Sequence, residues 1–201
     1  MRRIHPFKSG IRALGIAESF DPKRDTKSLL AGVVMRKDFI IDGFSFIRTS
    51  VGGDDSTSKI IQLYHSFKRS DINIIMLSGA IISYYNIVDL DRVHSETGIP
   101  LVCLSYRESK GIENAIMERF GERASHKLEQ YKRLGERKRI TLKTGKSIFI
   151  RSLGINDDDA AAILQDFLLQ GRYPEPIRVA SLLASSCRKI HYSRKRSRTT
   201  S

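Results

Sequence analysis

Five carboxylates in the first half of the chain sit where they could hold a divalent metal. Glu18 closes a strand-like run, and Asp42 lies at a bend in another. Asp54 and Asp55 precede a helical segment, and Asp89 opens the next one. Two ions held between carboxylates at neighbouring strand ends activate a water and stabilise the leaving oxygen of a phosphodiester. Mg²⁺ suits such a site, because it takes a few carboxylates and keeps several waters. Plainer roles exist for most of these acids. Asp54 and Asp55 are suited to capping a helix, and Asp42 to a turn beside Gly43. Glu18 is harder to explain that way, since an acid at the end of a central strand is costly without a partner.

Other chemistries fit less well. Ser78-Gly79 has no flanking Gly-x-Ser-x-Gly pattern, and nothing places a histidine beside it. The five histidines show no zinc-ligand spacing, and no Gly-x-x-x-x-Gly-Lys-Ser/Thr run exists. Asp157, Asp158 and Asp159 follow Asn156 as acids in a helix's first turn, which is explanation enough. The run Gly171-Arg172-Tyr173-Pro174-Glu175-Pro176-Ile177-Arg178 has two readings. It is a rigid helix start with a local ion pair, or one wall of a cleft with an arginine aimed at phosphate.

The elements that must position these groups follow from hydrophobic pattern. Residues 12–19, 28–35 and 39–51 read as three successive strands. The second is a continuous apolar run, as in a strand buried on both faces. A helix follows, with Ile60, Ile61, Tyr64 and Phe67 on one side. Residues 73–77 and 101–105 are further strands, each flanked by helix. An antiparallel meander continued by parallel βα units is the order of ribonuclease H-like nucleases. Right-handed crossovers put the fourth strand beside the first, so Glu18 and Ser78 are expected close together. A basic helix at 123–137, a hairpin around Thr144-Gly145-Lys146, and helices through Leu169 and over 177–187 complete the body. The expected divisions are a basic arm at 1–11, an α/β domain with a mixed sheet and a C-terminal helical and hairpin extension at 12–186, and a disordered basic tail at 187–201.

The charge is localised. Net charge is +13, from 35 basic and 22 acidic residues. Residues 122–146 hold nine Lys/Arg against three Glu, and residues 187–201 hold six Lys/Arg and no acid. The rest is 35 − 15 = 20 basic against 22 − 3 = 19 acidic. Two basic stretches on a balanced body are the footprint of a polyanion, nucleic acid, and the plainer alternative is a solvated helix face with a disordered tail that aids solubility. Cys103 and Cys187 read as free thiols in a reducing compartment. No apolar run approaches membrane-spanning length, so a cytoplasmic protein with no membrane partner is expected. A homodimer is left open.

Several runs carry a family resemblance. Ile75-Met76-Leu77-Ser78-Gly79, Asn86-Ile87-Val88-Asp89, Thr97-Gly98-Ile99-Pro100 and the GRYPEPIRVA run at 171–180 resemble a mostly archaeal family, domain of unknown function ninety-nine, itself similar to endonuclease V. The resemblance spans residues 12–186. It implies a ribonuclease H-like fold and metal-dependent cleavage near a deaminated base, deoxyuridine in DNA. Asp55 and Thr57 match a family Gly-x-Asp-x-Thr run, and Asn86, Asp89, Arg172, Glu175 and Arg178 also match. Departures are as telling. Relatives read Gly-Ile-Asp-Asp at Gly15-Ile16-Ala17-Glu18, Asp-Gly at Ser78-Gly79, and Val-Ala-His at Val179-Ala180-Ser181.

Two readings result. In the first, Glu18, Asp55 and Asp89 hold Mg²⁺ or Mn²⁺ in an endodeoxyribonuclease of DNA repair. Arg172 and Arg178 grip phosphate, and a flipped base enters near Asn86 and stacks on Tyr84 or Tyr85. In the second, a decayed nuclease scaffold binds nucleic acid without cutting it. A dimeric scaffold that uses no nucleic acid is the blander alternative.

Overall fold

A computed structural model describes residues 10–198. The expected basic arm lies outside the described residues as far as residue 9, as does the tail beyond Arg198. The core is a seven-stranded mixed sheet in the order β3-β2-β1-β4-β7-β9-β8. Strands β1 (Arg12–Ser19), β2 (Lys27–Arg36) and β3 (Ile41–Ser50) form the antiparallel meander. Strand β4 (Ile74–Leu77) pairs parallel to β1, and β7 (Leu101–Ser105) parallel to β4. This is the expected ribonuclease H-like arrangement.

The expected hairpin around Thr144-Gly145-Lys146 is present and joins the main sheet. Its strands β8 (Lys138–Thr141) and β9 (Ser147–Leu153) extend the main sheet, with β9 antiparallel to β7. A second pair, β5 (Ile81–Ile82) and β6 (Asn86–Ile87), forms a small separate sheet that the sequence reading did not anticipate. Both outer strands of the main sheet are exposed. β3 presents Phe44 and Phe46, 60% and 37% exposed, while β8 presents Lys138 and Arg139.

Helices cover both faces, and strand alternation sorts the side chains between them. On one face lie Leu14, Ile16, Leu30, Ile75, Leu77 and Cys103, under α1 (Ser56–Ser66) and α2 (Leu90–Thr97). Burial there pushes the Cys103 thiol up to about 12, so it behaves as a hydrophobe. On the other face lie Ala13, Ile74, Met76, Val102 and Leu104, under α5 (Asp157–Asp166) and the start of α6 (Glu175–Arg198). Asn156 caps α5 as expected, its side-chain oxygen accepting from the Asp159 N–H at 2.8 Å. Helices α3 (Glu113–Phe120) and α4 (Ala124–Arg133) pack beside β6.

Helix α6 crosses β1 and β2 through small residues: Ala17 and Ala31 on the sheet, Ala180 and Ala184 on the helix. Gly15 sets the approach, because a Cβ there would lie 2.3 Å from the Pro176 carbonyl carbon. The helix is described as far as Arg198.

Candidate functional site

Strands β1 and β4 run side by side with Ile16 opposite Leu77, and the Ser78 N–H donates to the Ile16 carbonyl at 3.0 Å. Continuing the register sets Ser78 beside Ala17. Both belong to the face covered by α6, since Ala17 packs with Ala180. Glu18 is one residue further along β1 and therefore leaves the sheet on the other face. Glu18 and Ser78 are thus at neighbouring strand ends, as expected, but their side chains leave opposite faces of the sheet. Ser78 aligns with Ala17, and neither carries an acid.

Glu18 is occupied on the α1 face. Its carboxylate accepts from the Ser83 N–H at 2.9 and 2.8 Å, from the Ser83 hydroxyl at 2.5 Å, and from the Ser28 hydroxyl at 2.9 Å. These bonds fasten an unusual turn. Ser83, Tyr84 and Tyr85, joining β5 to β6, all adopt left-handed backbone, with φ of 46°, 62° and 64°. Such conformations cost non-glycine residues about 1–2 kcal/mol each, so the surroundings must hold them. The Ser83 carbonyl accepts from the Gly52 N–H at 2.7 Å. Lys127, only 4% exposed, donates to the Tyr85 carbonyl at 2.9 Å, the Gly53 carbonyl at 3.0 Å and Asp54 Oδ1 at 2.7 Å.

Asp55 sits at the N-terminus of α1 but does not cap it. Its carboxylate turns back to accept from the Thr49 hydroxyl at 2.6 Å, the Ser50 N–H and hydroxyl at 3.0 Å each, and the Asn86 amide at 2.8 Å. Burial alone would raise its pKa. The hydrogen bonds from Thr49, Ser50 and Asn86 outweigh it and hold the carboxyl well below the usual range. Asn86, fully buried, also donates to the Ser50 carbonyl and accepts from the Ser56 N–H. It is a structural bridge out of reach of a substrate. Asp89 caps α2, accepting from the Arg92 N–H at 2.9 Å. Of the other acids, Asp42 pairs with Arg12 and Arg69, and Asp54 with Lys127.

Among the described residues, no three His, Cys, Asp or Glu side chains gather as a metal-holding group. The donor set therefore does not fit a metal centre built from Glu18, Asp55 and Asp89. Glu18 and Asp55 are engaged by internal donors, and Asp89 caps a helix. At the ends of the paired strands β1 and β4, on the face covered by α6, the chain carries Ala17 and Ser78.

The α6 face holds the arginines. Arg178 forks onto Glu175, with bonds of 2.8 and 2.6 Å to Oε2, so the local ion pair describes it better than a phosphate grip. Arg172 donates to the Tyr106 carbonyl at 2.9 Å. Its guanidinium carbon lies 5.8 Å from the Tyr106 ring centre and 5.6 Å from that of Tyr173, whose rings are 4.3 Å apart. The Tyr106 hydroxyl is buried beside Ser78 without a well-formed hydrogen bond. The acids and the arginines of the expected cleft thus lie on opposite faces of the sheet. Of the two turn tyrosines, Tyr84 is 37% exposed with the Arg119 guanidinium 5.2 Å over its ring. Tyr85 turns inward against Phe120.

Lys127 and the Tyr106–Tyr173 stack escaped the sequence reading. Lys127 is one basic residue among many in its segment. Tyr106 and Tyr173 are distant in sequence, with no spacing to join them.

The family model described as Endonuclease dU matches residues 9–188. The chain belongs to the endonuclease dU family. A UPF0215 protein of Pyrobaculum calidifontis is 36% identical over 186 residues, covering 92% of this chain and 100% of that one. A crystal structure of a protein of unknown function from Archaeoglobus fulgidus, 30% identical, covers 88% of this chain and 98% of its own, with a TM-score of 0.74. Ciona intestinalis endonuclease V, in complex with DNA containing an inosine followed by a ribo-adenosine, is 15% identical with a TM-score of 0.58. It covers 90% of this chain and 87% of that one, a likeness of fold. Endonuclease dU membership and the endonuclease V-like fold make this a nuclease-like, nucleic-acid-processing scaffold. Among the described residues, no helix is long and apolar enough to cross a membrane.

Proposed function

We propose that this endonuclease dU family member binds nucleic acid, DNA in the first instance, across the carboxyl ends of β1, β4 and β7, without metal-dependent cleavage. One observation carries the reading. The two side chains that meet on the α6 face at the ends of the paired strands β1 and β4 are Ala17 and Ser78, and Glu18 points to the other face. A two-metal mechanism needs carboxylates there to hold its ions. What the scaffold keeps is charge: +13 overall, concentrated in residues 122–146 and 187–201. Arg172 and the exposed Tyr84 supply contacts for phosphate and base.

A second reading is metal-dependent nicking at deoxyuridine, supported by family membership and by the acid Glu18 at the end of a central strand. A nicking assay separates the two. Uracil-, hypoxanthine- and undamaged DNA are incubated with the protein in Mg²⁺ or Mn²⁺, and binding to the same duplexes is titrated against salt. Salt-sensitive binding with no nick is expected. A metal-dependent nick lost in Glu18→Ala overturns the proposal in favour of the second reading. No binding at any salt overturns both.

A further inference from the structure

The Tyr106–Tyr173–Arg172 stack is held with more care than a surface ornament requires. Tyr173 is 41% exposed, its ring centre lies 4.3 Å from that of Tyr106 at a 45° tilt, and the guanidinium carbon of its neighbour Arg172 lies 5.6 and 5.8 Å from the two ring centres. The backbone on either side is fixed. Gly171 takes φ 64° and its carbonyl accepts from the Thr144 hydroxyl, while Pro174 restricts Tyr173 from the other side. The Glu175 N–H donates to the Phe167 carbonyl at 2.8 Å, anchoring the run to α5. Tyr106 is fixed in turn. Arg172 donates to its carbonyl, and Arg137 donates to the next carbonyl, that of Arg107, at 3.1 Å. An aromatic face is thus presented rigidly, flanked by the Arg172 guanidinium, next to the strand-end residue Ser78.

We infer that Tyr173, backed by Tyr106 and Arg172, is a stacking shelf for an unpaired nucleobase of a nucleic-acid strand crossing the sheet ends. Every base offers a flat π-face, and a base lies flat on an exposed ring only when it is not paired and stacked within a duplex. A shelf ordered before binding loses little side-chain freedom on contact. The Arg172 guanidinium beside the ring places positive charge near the phosphates flanking that base. The inference rests on the nucleic-acid reading above and adds the strand form and the contact residue.

The test compares a labelled oligothymidylate with an abasic strand of the same length and charge. The wild type binds the oligothymidylate more tightly. Tyr173→Ala weakens oligothymidylate binding by roughly 5- to 100-fold and leaves abasic-strand binding and the salt slope unchanged. Tyr173→Trp retains or tightens it. Thermal melting confirms that both variants fold. Wild-type binding that is equal for both strands, or a Tyr173→Ala loss that is equal for both, overturns the shelf while leaving the nucleic-acid reading intact. A wild type that binds neither strand overturns both.

Discussion

Glu18 and Ser83, 65 residues apart, are joined by three hydrogen bonds in which one carboxylate takes both the backbone N–H and the hydroxyl of one serine. The serine is fully buried and opens the left-handed turn that displays Tyr84. The acid at the end of β1 therefore acts as a fastener for a strained hairpin.

Replacing that acid should loosen the hairpin. Glu18→Ala leaves the Ser83 N–H, Ser83 hydroxyl and Ser28 hydroxyl without their acceptor. Hydrogen bonds to a charged group contribute about 1.5–3 kcal/mol, and a loss of that order is expected in urea unfolding. Amide exchange should quicken at Ser83, Tyr84 and Tyr85 before it does in β1. Unchanged exchange there would contradict the fastening role.

Asp55 makes stability depend on acid pH. Its folded pKa lies below the ordinary 3.8, so the folded state binds its proton less readily than the unfolded chain does. The stabilisation is complete above 3.8 and drains away as pH falls from there through the folded pKa. Asp55→Asn presents donors to the donors of Thr49, Ser50 and Asn86, and it removes the titration. The stability gap between wild type and Asp55→Asn should therefore narrow below 3.8 and stay constant above it. Chemical denaturation across the acid range checks the sign.

Lys127 holds two loops at once. Lys127→Met keeps the aliphatic stem but strips the Gly53 and Tyr85 carbonyls and Asp54 of their donor. Unsatisfied buried acceptors cost about 1–3 kcal/mol each, so a drop of a few kcal/mol at most is expected, with the solvated acceptors recovering part of it. Thermal melting reads it directly. A variant as stable as wild type would show that water replaces the ammonium at no cost.

Strand-end acids can be introduced. Ser78 is half-buried beside the unsatisfied Tyr106 hydroxyl, which can donate to a new carboxylate. Ser78→Asp should be tolerated within about 1.5 kcal/mol, an ordinary surface-to-margin change. Ala17→Asp buries an acid against Ala180 and should cost more. In the double variant the two carboxylates are adjacent, so Mn²⁺ should raise its melting temperature while leaving that of wild type unmoved. Equal Mn²⁺ responses would mean that positions 17 and 78 do not face one site.

The sheet was legible because β1, β2, β4 and β7 are apolar runs bounded by Gly, Pro or Asp, and each falls where its pattern put it. The β5–β6 pair was not, since two-residue strands have no period. Its turn also uses backbone that local preference argues against at Ser83, Tyr84 and Tyr85. Helix α6 extends beyond residue 187 through Arg and Lys, which favour helix without giving it an apolar stripe. The site followed the same division. That Ala17 and Glu18 face opposite ways is plain from strand alternation. Which face receives the arginines depends on where α6 docks, and Gly15 under Pro176 decides that through space.

The two rims of the main sheet are chemically unlike. Lys138 and Arg139 line the β8 rim, and a second copy arriving there would meet like charge. The β3 rim offers Phe44 and Phe46, edge to face at 5.9 Å, and no strand among the described residues lies beyond it. Self-association of this chain, wanted or unwanted, should therefore propagate from β3, and one lysine in place of Phe44 should suffice to suppress it.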